Sequence, residues 1–352
     1  MLFLDAVQLK PTLRPPVWLM RQAGRYLPEY RALRTRYTLE EMFRNPELAC
    51  EITMLPIDLL GVDAAIVFSD ILLIVEALGL QVRYPEKGGP QVEPKLQKED
   101  DIYALSMRPL EDTLAYTYTA VEMLCRQLKI PLIGFCGGPF TIASYMFPQG
   151  EILSWIDKSP QAVHHLLSLL QKACERHLLL QIKAGAQVVQ IFDSWANLLP
   201  ESLIHEFAFA YLEKIIQALP VPVILFCRDS GLYAQRLAAL GCQVISLDEN
   251  ANLEELVKTL PHNVALQGNL SPQLLTTGPS SLIVQKTKEL VRIMHPRPGF
   301  IANLGHGVLP TTPVDHVRCF IDTIHQEASG GIEHKIASGL PPDKKPNFVP
   351  RS

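Results

Sequence analysis

The residues best suited to chemistry are arginines clustered near the start of the chain. A guanidinium group is charged at any ordinary pH and holds a carboxylate or phosphate through two parallel hydrogen bonds. The cluster therefore predicts a site for several anionic groups. The alternative is a solvated basic helix face on which Arg25 and Glu29 pair at i,i+4. Five arginines fall within sixteen positions against one carboxylate, Glu29; they are Arg21, Arg25, Arg31, Arg34 and Arg36.

Two further polar residues stand where apolar segments end. Asp70 follows the run Ala64–Phe68, and a carboxylate in such a place is costly to bury unless several donors meet it. Asp70 is predicted either to face a ligand with several donors or to cap a helix that starts at Ile71. His306 lies between two glycines, on a turn where backbone can approach a ligand closely. Its imidazole is suited to binding a carboxylate as a cation or to relaying protons.

Short apolar runs alternate with long helical patterns, and these elements must position the polar residues. Continuous apolarity of this length indicates strands buried on both faces, as in a parallel sheet covered by helices. Eight such runs predict an α/β fold, a single (β/α)8 TIM-type barrel with its active-site cleft at the C-terminal ends of the strands. The runs are Pro16–Leu19, Ala64–Phe68, Ile130–Phe135, Gln187–Phe192, Val221–Phe226, Cys242–Leu247, Asn263–Leu266 and Gly299–Leu304, of which the first is the weakest. The helical patterns include Glu111–Leu128, Pro160–Ala184, Pro200–Leu219 and Thr312–Gln326.

Composition narrows the class of protein. The 352 residues are 48% hydrophobic and 19% charged, which suits a large buried core. A formal net charge of −4 gives no reason to expect a nucleic-acid partner. No apolar run approaches the ~18 residues of a membrane span, and the first residues lack the pattern of a signal peptide. We expect a cytoplasmic protein without membrane association.

Cysteine and glycine patterns give no sign of a bound group. The seven cysteines are an odd number and include no C-x-x-C pair, which disfavours a disulfide framework or a structural zinc site and favours a reducing compartment. The segment Gly137-Gly138-Pro139 does not continue into a phosphate-binding G-K-[ST] motif, so we expect a tight turn there. We therefore expect neither a metal nor a cofactor.

The arginine segment and several later motifs, in this order, resemble the uroporphyrinogen decarboxylase family. The similarity runs from residue 16 to about residue 328, and its first and last motifs are the specific ones. The matching motifs are MRQAGRYLPEYR at 20–31, FSDIL at 68–72, GFCGGPFT at 134–141, FDS at 192–194, LQGNL at 266–270 and NLGHG at 303–307.

The resemblance implies an enzyme that removes CO2 from the four acetates of uroporphyrinogen, giving coproporphyrinogen, in haem and porphyrin biosynthesis. It implies no cofactor, because a protonated pyrrole ring serves as the electron sink. Asp70 would offset the pyrrolic cation, Arg21 would stabilise charge first and deliver protons second, and Tyr145 would orient the Asp70 carboxylate. Ser194 would bind a carboxylate that the reaction retains. The implied substrate-binding residues are Arg21, Gln22, Arg25, Asp70, Tyr145, Ser194 and His306.

Two other functions stay open. A corrinoid- and zinc-dependent methyltransferase of a related barrel group would need a His-x-Cys pair after a late strand. No histidine lies two residues before Cys227, and the later turn carries His306 where a cysteine would be needed. A non-catalytic tetrapyrrole-binding protein is the second alternative, and the presence of Asp70 together with Arg21, Arg25 and Tyr145 argues against it.

The chain shows no linker that would divide it. We expect residues 1–340 to form the barrel and residues 341–352 to form a polar C-terminal tail. The resemblance also implies a homodimer whose clefts face each other. Neither the order in which the acetates leave nor the residue that delivers each proton follows from the sequence.

Overall fold

The computed structural model describes residues 1–85, 88–295 and 297–337, with residues 328–337 described by their backbone alone. The predicted tail at 341–352 and the last residues of the predicted domain 1–340 lie outside the described residues. This part of the chain contains nine strands. They are β1 (Ala65–Ile66), β2 (Gln81–Arg83), β3 (Gln91–Glu93), β4 (Leu132–Gly137), β5 (Val188–Asp193), β6 (Val223–Cys227), β7 (Val244–Ser246), β8 (Ala265–Leu270) and β9 (Phe300–Leu304).

Seven strands form one parallel sheet in the order β1-β4-β5-β6-β7-β8-β9. Strands β4, β6 and β9 are buried at every residue, as expected for strands covered on both faces. The remaining two strands, β2 and β3, which lie between β1 and β4 in the sequence, form a separate antiparallel hairpin. The predicted α/β barrel with alternating strands and helices is thereby confirmed. The hairpin was not predicted.

The first predicted strand, Pro16–Leu19, forms a single β-bridge to the seven-stranded sheet and so serves as the eighth strand of the barrel. Val17 pairs in parallel with Ala302 of β9, and its carbonyl oxygen accepts a hydrogen bond from Asp63 N at 2.8 Å. The Asp63 carboxylate accepts from Val17 N at 2.8 Å. Arg14 holds the same carboxylate with two bonds of 2.6 and 2.9 Å. A side chain thus supplies part of the hydrogen bonding that a longer strand would supply through its backbone.

Helices follow the strands as predicted, but some begin or end at other residues and two of the predicted helices are interrupted. The predicted helix Pro200–Leu219 contains a π-helical turn at His205–Phe209, and Glu111–Leu128 is split after Thr113. No helix among the described residues is long and apolar enough to cross a membrane. The α-helices are Leu2–Val7, Pro28–Arg34, Leu39–Arg44, Pro46–Leu60, Glu99–Tyr103, Leu110–Thr113, Ala115–Gln127, Pro139–Met146, Glu151–Lys158, Pro160–Lys183, Glu201–Ile204, Ala210–Ala218, Ser230–Ala239, Leu253–Thr259, Pro272–Thr277, Ser280–Met294 and Val314–Ala337, with 3-10 turns at Leu73–Leu78 and Ala196–Leu198.

The barrel interior is mainly aliphatic but contains a hydrogen-bonded polar layer. Gln267 was predicted to lie beyond the end of a strand, yet it lies inside β8 and is fully buried. Its amide oxygen accepts from Trp18 Nε1 at 2.8 Å. Its amide nitrogen donates to Ser246 Oγ at 3.0 Å and to Gln190 Oε1 at 3.3 Å. Because these partners satisfy the amide, the strand can continue through a polar residue.

Candidate active site

A cavity of about 340 Å³ lies at the C-terminal ends of the barrel strands, the face where barrels of this kind build their active sites. Six of the seven predicted site residues line it, and Arg25 does not. The six are Arg21, Gln22, Asp70, Tyr145, Ser194 and His306. The walls between them are largely apolar and include Phe43, Ile66, Phe68, Ile71, Phe135, Phe192 and Phe226.

Asp70 faces this cavity from the segment that follows β1. Its Oδ1 accepts a hydrogen bond from Leu72 N at 2.8 Å, which forms a turn into the 3-10 helix Leu73–Leu78. Burial raises the pKa of Asp70, while the Leu72 amide, the Tyr84 hydroxyl and the charge of Arg21 act to lower it. The two predicted roles are therefore compatible, because one carboxylate oxygen holds the local turn and the residue still lines the cavity.

Tyr84 is a site residue that the sequence did not reveal. It follows β2, and its ring packs edge-on against Phe43 at a centroid distance of 5.4 Å. Its hydroxyl faces Asp70, but among the described residues it has no partner at normal hydrogen-bond geometry. Burial and the neighbouring Asp70 charge raise the pKa of Tyr84. A neutral hydroxyl thus stands behind the carboxylate that faces the cavity.

Arg21 follows the short first strand in a left-handed backbone conformation with φ 60°. Such a conformation is strained for a residue other than glycine and is often found at functional sites. Its side chain is exposed to the cavity, although nearby protein desolvates it enough to lower its pKa. Tyr145 and Asp70 act in the opposite direction. Since an arginine in a protein does not lose its proton, Arg21 presents a fixed positive charge close to Asp70.

Two other arginines of the cluster donate hydrogen bonds to backbone carbonyl oxygens. Arg31 donates to the carbonyl oxygens of Arg25 and Tyr26 at 3.0 and 2.9 Å, and Arg34 donates to that of Tyr37 at 2.8 Å. These two arginines hold backbone in place.

Arg21 and Arg25 do not lie on a helix, so the alternative of a basic helix face does not apply to them. The helix begins only at Pro28, and the residues before it form turns. Among the described residues, none of the five clustered arginines forms a salt bridge, so the Arg25–Glu29 pair of the surface-helix alternative is absent. The positive charge of Arg21 and Arg25 is thus left without an acidic partner at salt-bridge distance.

Gln22 forms part of the cavity wall but its amide is already engaged. Its Oε1 accepts from Leu19 N at 3.1 Å and its Nε2 donates to Ala64 O at 3.2 Å. These bonds join the first strand to the residue just before β1. Gln22 therefore positions the neighbouring Arg21 as well as lining the cavity.

Tyr145 and Ser194 line the cavity from neighbouring elements. Tyr145 lies on the helix Pro139–Met146, and Ser194 directly follows β5. The Tyr145 hydroxyl makes no hydrogen bond to Asp70 within the described chain, so the predicted orienting contact is not formed in this structure. The hydroxyl that faces Asp70 belongs to Tyr84. Tyr145 instead packs edge-on against Trp195 at a centroid distance of 6.3 Å.

His306 lies partly buried on the turn after β9. Burial lowers its pKa to about 4, and the charges of Arg21 and Arg228 add to this effect. The imidazole is therefore neutral at neutral pH in the free protein, whereas the first of its two predicted roles, binding a carboxylate as a cation, requires a protonated ring. A carboxylate placed beside it would raise the pKa again.

All seven cysteines are within the described residues and are free. Cys227 is buried, and burial raises the pKa of its thiol well above the ordinary value. In the described parts of the chain, no three His, Cys, Asp or Glu side chains are grouped so that they could hold a metal ion.

Comparison with known proteins agrees with the geometry. The uroporphyrinogen decarboxylase (URO-D) family matches residues 1–327. A uroporphyrinogen decarboxylase from Protochlamydia amoebophila is 42% identical over 332 residues, which cover 92% of this chain and 91% of that protein. Its counterpart from Alkalilimnicola ehrlichii is 39% identical over 342 residues, covering 92% and 93%.

A solved methyltransferase from Methanosarcina mazei has a TM-score of 0.77 and 20% identity, with 92% of this chain and 97% of that one covered. At this identity the similarity shows a shared barrel fold alone. The extent and level of the sequence matches show that the chain belongs to the uroporphyrinogen decarboxylase family.

Proposed function

We propose that the chain converts uroporphyrinogen to coproporphyrinogen by removing CO2 from its four acetate side chains. The family membership and the names of the relatives support this reaction. The structural observation that carries the proposal is the presence of one acid and one arginine, not bridged to each other, in the same largely apolar cavity. Asp70 faces the cavity as a single acid, and Arg21 lines the same cavity without a salt-bridge partner among the described residues. This arrangement suits a substrate with N–H groups at its centre and carboxylates at its edge.

The reaction needs a place for the electrons of the broken carbon–carbon bond. Addition of a proton to a pyrrole carbon next to nitrogen makes the ring cationic. When CO2 leaves, the bonding electrons flow into this ring and form a double bond to the former acetate carbon. A proton then converts that carbon to a methyl group, and the ring releases the first proton. Each acetate thus exchanges one CO2 for one proton, and the substrate itself supplies the electron sink.

Asp70 stabilises the pyrrolic cation in this scheme. Its carboxylate would accept hydrogen bonds from the pyrrole N–H groups, which would offset the burial that raises its pKa. The apolar walls exclude water, so that each charge acts more strongly than it would in solution. Because Asp70 is held by Leu72 before the substrate arrives, little reorganisation is required during the reaction.

The remaining site residues bind carboxylates. Arg21 stabilises developing charge first and takes part in proton delivery second, because a guanidinium is a poor acid at neutral pH. Ser194 and His306 lie on the wall that Phe226 also lines, where they would hold carboxylates that are retained. Tyr145 would contact the substrate from the helix Pro139–Met146. Arg25 is exposed outside the cavity wall and would reach a carboxylate at its edge.

The finer properties are part of the same proposal. We place the protein in the cytoplasm as a homodimer with facing clefts, with residues 1–340 as the barrel domain and 341–352 as a tail. Family membership supports the dimer. We also propose that the reaction needs neither metal nor cofactor.

The experiment is incubation of chelator-treated protein with uroporphyrinogen under reducing conditions, followed by oxidation and chromatography of the products. After oxidation we expect porphyrins with seven, six and five carboxylates and finally coproporphyrin, the oxidised form of coproporphyrinogen. Activity that disappears on chelation and returns with zinc would instead support the methyltransferase alternative. Tight binding without any loss of CO2 would support a non-catalytic tetrapyrrole-binding protein.

A further inference from the structure

Arg228 is a second fixed cation near the cavity, on the side opposite the N-terminal cluster. It directly follows β6, and its guanidinium carbon lies 4.2 Å from the centroid of the Trp195 ring. It forms no salt bridge within the described residues. We infer that Arg228, stacked on Trp195, binds one carboxylate of the substrate. This inference rests on the proposed function and names a residue outside the predicted set.

Trp195 is held firmly enough to serve as a support for Arg228. Its backbone N–H donates to Thr141 Oγ1 at 2.9 Å. That hydroxyl in turn donates to Asp193 Oδ1 at 2.6 Å, and Thr141 N donates to the same oxygen at 3.0 Å. Asp193 has no exposed surface, so this bonding is shielded from water. These bonds hold the backbone of Trp195 in place, and its ring supports the Arg228 guanidinium through a cation–π contact.

A guanidinium that is already held in place before its ligand arrives loses less conformational entropy on binding. Guanidinium groups stack on aromatic faces with their N–H groups directed outward in their own plane, and the 4.2 Å contact of Arg228 with Trp195 is close enough for this arrangement. Those donors stay free for the two parallel hydrogen bonds that a carboxylate accepts. A stacked arginine therefore offers the geometry of carboxylate recognition that a flexible lysine would not.

The surrounding charges favour an anion at this position. Arg228 is close enough to Arg21 and His306 to lower the pKa of both. The nearest acid along the chain, Asp229, accepts a hydrogen bond from Asn197 Nδ2 at 2.8 Å and is not within salt-bridge distance of Arg228. Two like charges that face each other are relieved when a negative group lies between them. A substrate with eight carboxylates provides such a group.

Substitution of Arg228 by methionine tests the inference. Arg228→Met keeps much of the side-chain length but removes the charge. We expect the KM for uroporphyrinogen to rise at least ~10-fold while kcat changes less than ~3-fold, as for a group that binds ground state and transition state alike. Arg228→Lys should give an intermediate KM. The matched control is Arg126→Met, at an exposed arginine on the helix Ala115–Gln127, for which KM should not change.

A second measurement does not depend on turnover. Removal of the Arg228 charge should raise the pKa of His306 above its value of about 4, as followed by NMR titration, and Arg126→Met should leave it unchanged. Binding of uroporphyrin, the oxidised octacarboxylate, should also weaken in Arg228→Met and become less sensitive to salt. This binding assay still tests Arg228 if the wild-type protein proves inactive, so the two proposals fail separately.

The inference would be overturned by a folded Arg228→Met protein with normal KM and normal uroporphyrin binding. If Arg228→Met does not fold, Arg228→Lys decides the matter because it keeps the charge. A normal KM in Arg228→Lys would then show that the Arg228 guanidinium makes no contact with the substrate. Trp195→Leu, which removes the supporting ring, should raise KM in the same direction as Arg228→Lys.

Discussion

Gly307 leaves the space that the Arg21 side chain occupies. A Cβ atom at residue 307 would lie 2.5 Å from the Arg21 Cδ and 2.7 Å from its Cγ. Real Cβ atoms do not approach this closely, so any larger residue would displace the arginine. The turn that carries His306 can therefore pack against Arg21 only because residue 307 has no side chain.

Gly307→Ala should therefore lower activity by moving Arg21. We expect a fall in kcat/KM of at least ~10-fold, because a small displacement of a binding group in a preorganised site is costly. The control is Gly89→Ala, at a glycine where an added Cβ atom would meet no described neighbour within 4 Å, which should leave kcat/KM near wild type. Normal kinetics in Gly307→Ala would show that Arg21 does not need its present position.

The identity of the cation should matter at Arg21 and Arg25. An ammonium group cannot reproduce the two-pronged hold on a carboxylate, so we expect Arg21→Lys and Arg25→Lys each to lower kcat/KM by at least ~10-fold, or ~1.4 kcal/mol. The control is Arg36→Lys in the same cluster, where the guanidinium lies 5.7 Å from the Tyr37 ring. Circular dichroism and melting should stay near wild type. Unfolding of both variants would assign the two arginines to the structure instead.

The two roles of Asp70 can be separated by substitution. Asp70→Asn keeps an oxygen that can accept from Leu72 N but removes the charge. Turnover should fall ~100-fold or more, as for other preorganised electrostatic groups, while the melting temperature stays near wild type. Asp70→Glu keeps a displaced charge and should retain more activity than Asp70→Asn. Near-normal turnover in a folded Asp70→Asn protein would limit Asp70 to holding the turn.

Removal of the Tyr84 hydroxyl should shift the pH dependence of the reaction. This hydroxyl acts to lower the pKa of Asp70, so Tyr84→Phe should raise that pKa. Because the reaction needs the ionised carboxylate, the acid limb of kcat/KM should move to higher pH, while activity well above the limb stays near wild type. Tyr103→Phe, at a tyrosine that is 50% exposed, is the control. An unchanged acid limb would show that Tyr84 does not influence Asp70.

The sequence predicted the barrel because buried parallel strands leave long apolar runs. Six of the seven predicted site residues line one cavity, since the ends of parallel strands meet at one edge. The hairpin escaped prediction because β2 and β3 have three residues each and bury only Val82 and Val92. Such short segments carry too little periodicity to be recognised. Tyr84, which the hairpin presents to Asp70, was missed for the same reason.

Other differences arise from contacts between residues far apart in the chain. The Gln22 amide is engaged within the barrel because its Nε2 donates a hydrogen bond to the carbonyl oxygen of Ala64, which is distant in the sequence. The position of Arg228 depends on Trp195, on the loop after the neighbouring strand. The neutral state of His306 depends on burial and on both cavity arginines. These relations are set by tertiary packing, and local sequence patterns do not contain them.

Asp193 gives a prediction about stability. Burial raises its pKa to about 6, whereas an aspartate in an unfolded chain has a pKa of about 3.9. Between these values the folded protein binds more protons than the unfolded chain, so this residue makes the free energy of unfolding fall as pH rises. Below about pH 4 and above about pH 6 its contribution is constant.

Asp193→Asn should abolish this pH-dependent contribution while keeping an oxygen for the two hydrogen bonds from Thr141. We expect the stability of the wild type relative to Asp193→Asn, measured by urea unfolding, to decline from pH 4.5 to pH 6.5 and then to level off. Asp193→Ala, which also removes the acceptor, should be less stable than Asp193→Asn at every pH. A stability difference between wild type and Asp193→Asn that stays constant over this range would show that Asp193 is ionised in the folded protein as readily as in the unfolded chain.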